Sequence, residues 1–135
     1  MFGKKSQPPI KSLIAQGTHI DGSMKFTEGL RVDGEVFGDI TANPEENGSM
    51  LVISEQAVVQ GGITADHVII NGTVRGPVHA RELLELQPKA RIEGDVSYVA
   101  LEMHQGATIS GQLRPLATGA EGEEKPLLKL ASKSA

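Results

Sequence analysis

The 135-residue chain has no cysteine and no tryptophan, and aromatic residues make up only 3% of it. Without cysteine there is no disulfide framework, no thiolate metal site and no thiol nucleophile, and a reducing compartment is the easier fit. With so little aromatic volume, the core has to be filled by Val, Ile, Leu and Ala. No apolar run approaches the roughly 18 residues that a membrane-spanning helix needs. The start does not read as a secretory signal, because Lys4 and Lys5 lead into Ser6, Gln7, Pro8 and Pro9, and the later Leu13-Ile14-Ala15 is short. A cytoplasmic protein is the expectation. There is no Gly-x-x-x-x-Gly-Lys-Ser/Thr phosphate loop, and Gly61-Gly62 lacks the strand-to-helix setting of a dinucleotide fingerprint, so no nucleotide or other cofactor is expected.

The formal net charge of −4 is unevenly spread. Residues 1–14 carry Lys4, Lys5 and Lys11 and no acid, whereas residues 15–113 hold six basic and fourteen acidic side chains. Backbone binding to nucleic acid needs a basic stripe, and single-strand binding needs stacking aromatics; an acidic, aromatic-poor middle excludes both.

What the chain does have is a repeat. Leu30, Val32, Gly34, Val36, Gly38, Ile40 and Ala42 fall at every second position, and Val68, Ile70, Gly72, Val74, Gly76, Val78 and Ala80 repeat the same types 38 residues on. A second pattern interleaves with it: Ala57-x-Val59-x-Gly61-x-Ile63, then Ala90-x-Ile92-x-Gly94-x-Val96, then Ala107-x-Ile109-x-Gly111-x-Leu113. The underlying unit is about 17 to 19 residues, with a loop inserted at Asn43 to Ser49. Residues between the apolar ones, such as Arg31, Asp33, Glu35, Asp39 and Thr41, mark strands with one buried and one wet face. A single sheet would not need a glycine in nearly every strand. Coils of three short strands, turning corners at glycines and stacked on one another, account for both features. The fold expected is an all-β parallel β-helix; a β-sandwich also alternates, but has no reason to place apolar-x-Gly-x-apolar at near-regular spacing.

Both ends differ from the middle. Residues 1–16 carry Pro8 and Pro9 and little pattern, and residues 115–135 carry Pro115, Gly119, Gly122 and Pro126 among charges, so both are expected as flexible tails around a β-helix over 17–114. The apolar Leu127-Leu128-Lys129-Leu130 is read as a stray cluster in such a tail, with a docking motif as the alternative.

The repeat region resembles a bactofilin. The resemblance rests on Val32-Asp33-Gly34-Glu35-Val36, on Ile70-Asn71-Gly72-Thr73-Val74 continuing as Arg75-Gly76-Pro77-Val78, on the His19-Ile20-Asp21-Gly22 entry coil, and on the Met1-Phe2-Gly3-Lys4-Lys5 start. It implies a bacterial cytoskeletal protein: a compact right-handed β-helix of about six coils that polymerises without nucleotide, often on the inner membrane, and recruits cell-wall enzymes. It also suggests that like ends meet.

Elementary physics points the same way, since a stack of coils ends in open sheet edges that invite another copy. No amphipathic capping helix is visible before residue 18 or after residue 113. The residues expected at the joint are Ile20, Met24, Phe26 and Leu30 at one end and Met103, Ile109, Leu113 and Leu116 at the other, with core filling under the chain's own tail as the alternative. At the N-terminal tip, Met1 and Phe2 are expected to enter a lipid interface while Lys4 and Lys5 meet anionic headgroups, against the alternative of a disordered start with incidental lysines. Partners expected are further copies of the chain, the inner-membrane surface and cell-wall or morphogenetic proteins.

Two other readings are open. His19, His67, His79 and His104 are candidates for a metal triad or catalytic base in a β-helix enzyme, but no His-x-x-His pair or convergent carboxylate is apparent, so surface histidines, no metal and no catalytic residue are expected. A non-polymerising scaffold is the other, with Phe37 on the outer face and Glu45-Glu46 as its contacts.

Overall fold

Period-2 alternation with a corner every few residues leaves each apolar strand only one way to bury its inner face, which is against the strands of the coils beside it. The computed structural model describes residues 10–116 and the backbone of residues 127–130. It is all-β, and every strand pairing in it is parallel.

The first coil is β1 (Ile10–Ile14), β2 (His19–Asp21) and β3 (Met24–Phe26); the second is β4 (Gly29–Val32), β5 (Glu35–Phe37) and β6 (Ile40–Ala42). The third is β7 (Met50–Ile53), β8 (Val58–Gln60) and the start of β9 (Ile63–Ile70). The fourth takes the rest of β9, β10 (Thr73–Arg75) and the start of β11 (Val78–Leu86), and the fifth the rest of β11, β12 (Arg91–Glu93) and β13 (Val96–Tyr98). The sixth is β14 (Ala100–Met103), β15 (Thr108–Ser110) and β16 (Leu113–Pro115), and β17 (Leu127–Leu130) follows. Three faces result. One is the six-stranded sheet β2-β5-β8-β10-β12-β15; the other two are linked through β9 and β11, which each bend from one face onto the next.

The expected β-helix of about six coils is therefore present, and its core is a set of columns. On the six-stranded face Ile20, Val36, Val59, Val74, Ile92 and Ile109 stack in register, and the four central members are all but inaccessible to solvent. On another face, Phe26 and Tyr98 bracket the small Ala42, Ala65 and Ala80. These two aromatics thus sit near the ends of a column whose middle has room only for methyl groups.

The two interleaved patterns of the sequence are one repeat with two kinds of first corner. The second and fourth coils turn in two residues, Asp33-Gly34 and Asn71-Gly72; the other four use four, as in Ser54-Glu55-Gln56-Ala57. A tight corner nests beneath the wider turn of the coil before it. A Cβ on Gly34 would lie 2.5 Å from the Thr18 carbonyl oxygen, and one on Gly72 would lie 2.2 Å from that of Ser54, so no side chain fits. At the second corner, Gly22, Gly38, Gly61, Gly76, Gly94 and Gly111 form an unbroken column, in which a Cβ on Gly61 would sit 2.2 Å from the Gly38 carbonyl oxygen.

Two boundaries differ from those read in the sequence. Among the described residues the ladder already includes Ile10, inside the stretch 1–16 expected as tail, because β1 lies on β4 with Ser12 opposite Leu30 and Ile14 opposite Val32. At the other end, β16 closes at Pro115, and Leu127–Leu130 forms a strand on β14 instead of a stray cluster.

Candidate assembly surfaces at the two ends

Each end of the stack is built by the last member of every column. At the N-terminal end β1, β2 and β3 pair on one side only among the described residues, with β4, β5 and β6. Among the described residues no strand lies beyond their outer edges, and the columns end on Ile14, Ile20, Met24 and Phe26. Ile20 and Met24 are half-buried, lying against the coil beneath and open toward the end of the stack. At the C-terminal end β15 and β16 likewise pair on one side, with Ile109 half-buried and Leu113 47% exposed.

Of the residues expected at the joint, the structure brings Ile20, Met24 and Phe26 together in the last strands of the N-terminal end, Phe26 being buried there at 8% exposure, and Ile109 and Leu113 together on the C-terminal rim. Leu30 is not on a rim. It is 1% exposed in the second coil, beneath β1, and the place above it is taken by Ser12. Met103 ends β14, which carries β17, and Leu116 follows β16 with its N–H donated to the Tyr98 carbonyl at 2.7 Å. Sequence reasoning missed Ile14. Polar Ser12 interrupts the apolar alternation, and a register shift between Ile10 and Ser12 hides the rest of it. Met1, Phe2, Lys4 and Lys5 lie outside the described residues.

The flanks are polar and cross-linked between coils. Asp39 Oδ1 accepts the Gly62 N–H at 2.8 Å, Asp95 Oδ1 accepts the Gln112 N–H at 2.9 Å, and Asn71 Oδ1 accepts the Lys89 N–H at 2.9 Å. The Gln112 bond, then the Arg114 guanidinium, holds the Asp95 carboxyl below the usual range; the Glu55 hydrogen bond raises the Lys89 ammonium.

Three of the four histidines, contrary to the sequence reading, have carboxylates beside them. His19 bonds Glu35 at 3.0 Å and Asp21 at 3.1 Å, and these bonds, Glu35 first, raise its pKa. His67 lies 3.1 Å from Glu82, and His104 lies 3.3 Å from Glu85. Glu35, Glu82 and Glu85 belong to neighbouring coils, 15 to 19 residues away, so sequence spacing cannot reveal them. Among the described residues no three such groups converge as a metal ion would need. Phe37, on the outer face as expected, meets the His19 ring edge-on at 4.6 Å, and Glu45 and Glu46 are exposed in the inserted loop.

One inward-turned charge stands apart. Asp66, at the bend within β9, is 4% exposed. Its Oδ2 accepts the backbone N–H groups of Gly48 and Ser49, its own N–H donates to Ser49 Oγ at 3.0 Å, and Arg81 Nε donates to Oδ1 at 2.7 Å. This cluster ties the inserted loop of the second coil through the third to the fourth.

The class of protein defined by this fold is the parallel β-solenoid, here with end strands that, β14 apart, pair on one side only among the described residues. The family described as "Bactofilin: Polymer-forming cytoskeletal" matches residues 12–114, and the chain belongs to it. It is 26% identical over 112 residues to Bactofilin BacO of Myxococcus xanthus (strain DK1622), covering 83% of this chain and 85% of that one. It is 28% identical over 102 residues to Bactofilin BacP of the same organism, 76% of this chain but only 40% of BacP's length. No solved structure matches the chain. The family is a structural, cytoskeletal one. No helix among the described residues is long and apolar enough to cross a membrane.

Proposed function

We propose that this chain assembles end to end into filaments that need no nucleotide, attach to the inner face of the cytoplasmic membrane, and carry cell-wall or cell-shape machinery. The observation that supports this most is the pair of rims, where on five of the six end faces the last strand has no strand beyond it among the described residues. If a joint removes on the order of 800 Å² of apolar surface from water, the gross gain is about 20 kcal/mol. Association costs about 4 to 15 kcal/mol, which leaves room for a stable joint without any chemical energy input. Electron microscopy of the purified chain in nucleotide-free buffer tests the reading. Filaments that lengthen with concentration support it, and short single particles at high concentration would favour a non-polymerising scaffold.

Membrane attachment rests on Met1, Phe2, Lys4 and Lys5. One ring at the interface and lysines contributing about 1 kcal/mol each near anionic lipid give weak binding to a single copy. A filament presents many tips together, so attachment follows assembly. In co-sedimentation with liposomes containing anionic lipid, a Phe2→Ala, Lys4→Ser, Lys5→Ser variant is expected to form filaments and stay in the supernatant of a spin that pellets only liposomes. A variant that pellets with liposomes as well as the parent does would show that the tip is not the anchor.

A further inference from the structure

The two ends are not equivalent, and the difference lies in β17. Along its face, partner positions step by 16 to 21 residues from Ile10 through Gly29, Met50, His67 and Leu83 to Ala100, and then by 27 to Leu127. Leu127, Leu128, Lys129 and Leu130 nevertheless lie in parallel register with Ala100, Leu101, Glu102 and Met103. The adjoining β15 and β16 have no such strand over them among the described residues. The C-terminal end is therefore one strand taller on one face than on the other two, a step of about 4.8 Å. A second copy with a level end cannot seat on β15 and β16 while β17 occupies the edge of β14.

We propose that β17 is a self-docked strap: it holds in cis the β14 edge that an incoming copy of the chain takes in the filament, and the C-terminal end joins only when β17 has been displaced. This rests on the end-to-end reading above and adds a regulated end to it. The occupant is a second copy because β14, β15 and β16 then offer three adjacent edges at one level, which a copy's own stack of faces can meet. A competitor on the same chain acts at an effective concentration on the order of millimolar, so dilute protein is held closed and joining sets in cooperatively once an incoming copy engages all three faces. The N-terminal end has no described counterpart to this strand and joins freely.

The register supplies a reversible test. Glu102 and Lys129 are partner positions on adjacent strands, within reach of a disulfide, and the chain has no other cysteine to interfere. In a Glu102→Cys, Lys129→Cys variant, oxidation is expected to consume both thiols and to stop assembly at no more than a joined pair. Reduction is expected to restore filaments of parental length. A variant ending at Pro126, which lacks the strand, should assemble at a concentration several-fold below the parent's. Filaments equally long in the oxidised and reduced states would overturn the proposal, as would thiols that fail to pair or a shortened chain that assembles less readily than the parent. If no form of the chain makes filaments, the end-to-end reading itself fails and the strap falls with it.

Discussion

Replacing Ile20 with aspartate is expected to leave a folded stack of coils and to raise the concentration needed for filaments by about 100-fold or more. Ile20 is the outermost member of the column that continues through Val36 and Val59, half-buried against Val36 and open on its other side. In the free chain a carboxylate there reaches water past the rim, so folding loses little more than one partial apolar contact, about 1 kcal/mol. In a joint the same carboxylate is shut between two apolar columns with no cation opposite it. An uncompensated buried charge costs about 3 to 5 kcal/mol, which is roughly two to three and a half powers of ten in the joining constant. The measurement is the concentration at which protein first pellets, with circular dichroism confirming the fold. The same change at Val36, one coil deeper and fully buried, is expected to unfold the chain instead. An Ile20→Asp chain that pellets at the parental concentration would remove the N-terminal rim from the joint.

A large effect on stability is also expected at Asp66. Asp66→Ala should destabilise the fold by about 3 to 5 kcal/mol, because it leaves the Arg81 guanidinium and the Gly48 and Ser49 N–H groups without their acceptor. Burial works to raise the Asp66 pKa, but the Arg81 hydrogen bond, the two backbone donors and the guanidinium charge outweigh it, and the net shift is downward. A carboxyl with a folded pKa below its unfolded value contributes stability that is fully present above the unfolded value, about 3.9, and lost as pH falls through the folded one. Thermal melts of the parent should therefore hold up near neutral pH and fall below about pH 4. In Asp66→Asn, lower in stability throughout, the part of that acid dependence due to this carboxyl should vanish. An Asn variant with the parent's full acid slope would place the dependence elsewhere, at Asp33 or Asp95, whose pKa values are also lowered.

How far the sequence could be read follows from where each structural partner lies. Apolar residues at every second position disclose which side of a strand is inside, and glycine at a fixed phase discloses a corner, so the coils from Gly29 to Leu113 were legible. The corner types, Asp33-Gly34 against Ser54-Glu55-Gln56-Ala57, looked like two repeats because a tight turn and a wide one place the following strand at different offsets. β1 was hidden by a serine in a core column and by its bulge. β17 was hidden by spacing, since a strand 27 residues beyond its neighbour breaks the period. The buried Asp66–Arg81 pair and the pairing of His19, His67 and His104 with Glu35, Glu82 and Glu85 were beyond reach for a different reason: these partners meet across coils, and in a chain with seventeen acidic residues no single one announces an inward turn. Of the rims, Ile20, Met24, Phe26, Ile109 and Leu113 could be placed as the last of their columns, but Leu30 could not be excluded until β1 was seen to cover it.

The claim that copies join rim to rim along the solenoid axis is tested most directly by diffraction from aligned filaments. Six coils at about 4.8 Å make each copy about 29 Å long, so the account predicts a reflection near 4.8 Å along the filament axis. It also predicts an axial repeat close to 29 Å if unlike ends meet, or about 58 Å if like ends do. A 4.8 Å reflection perpendicular to the filament axis would mean that copies associate through their flanks, and the rims would then not be the joints.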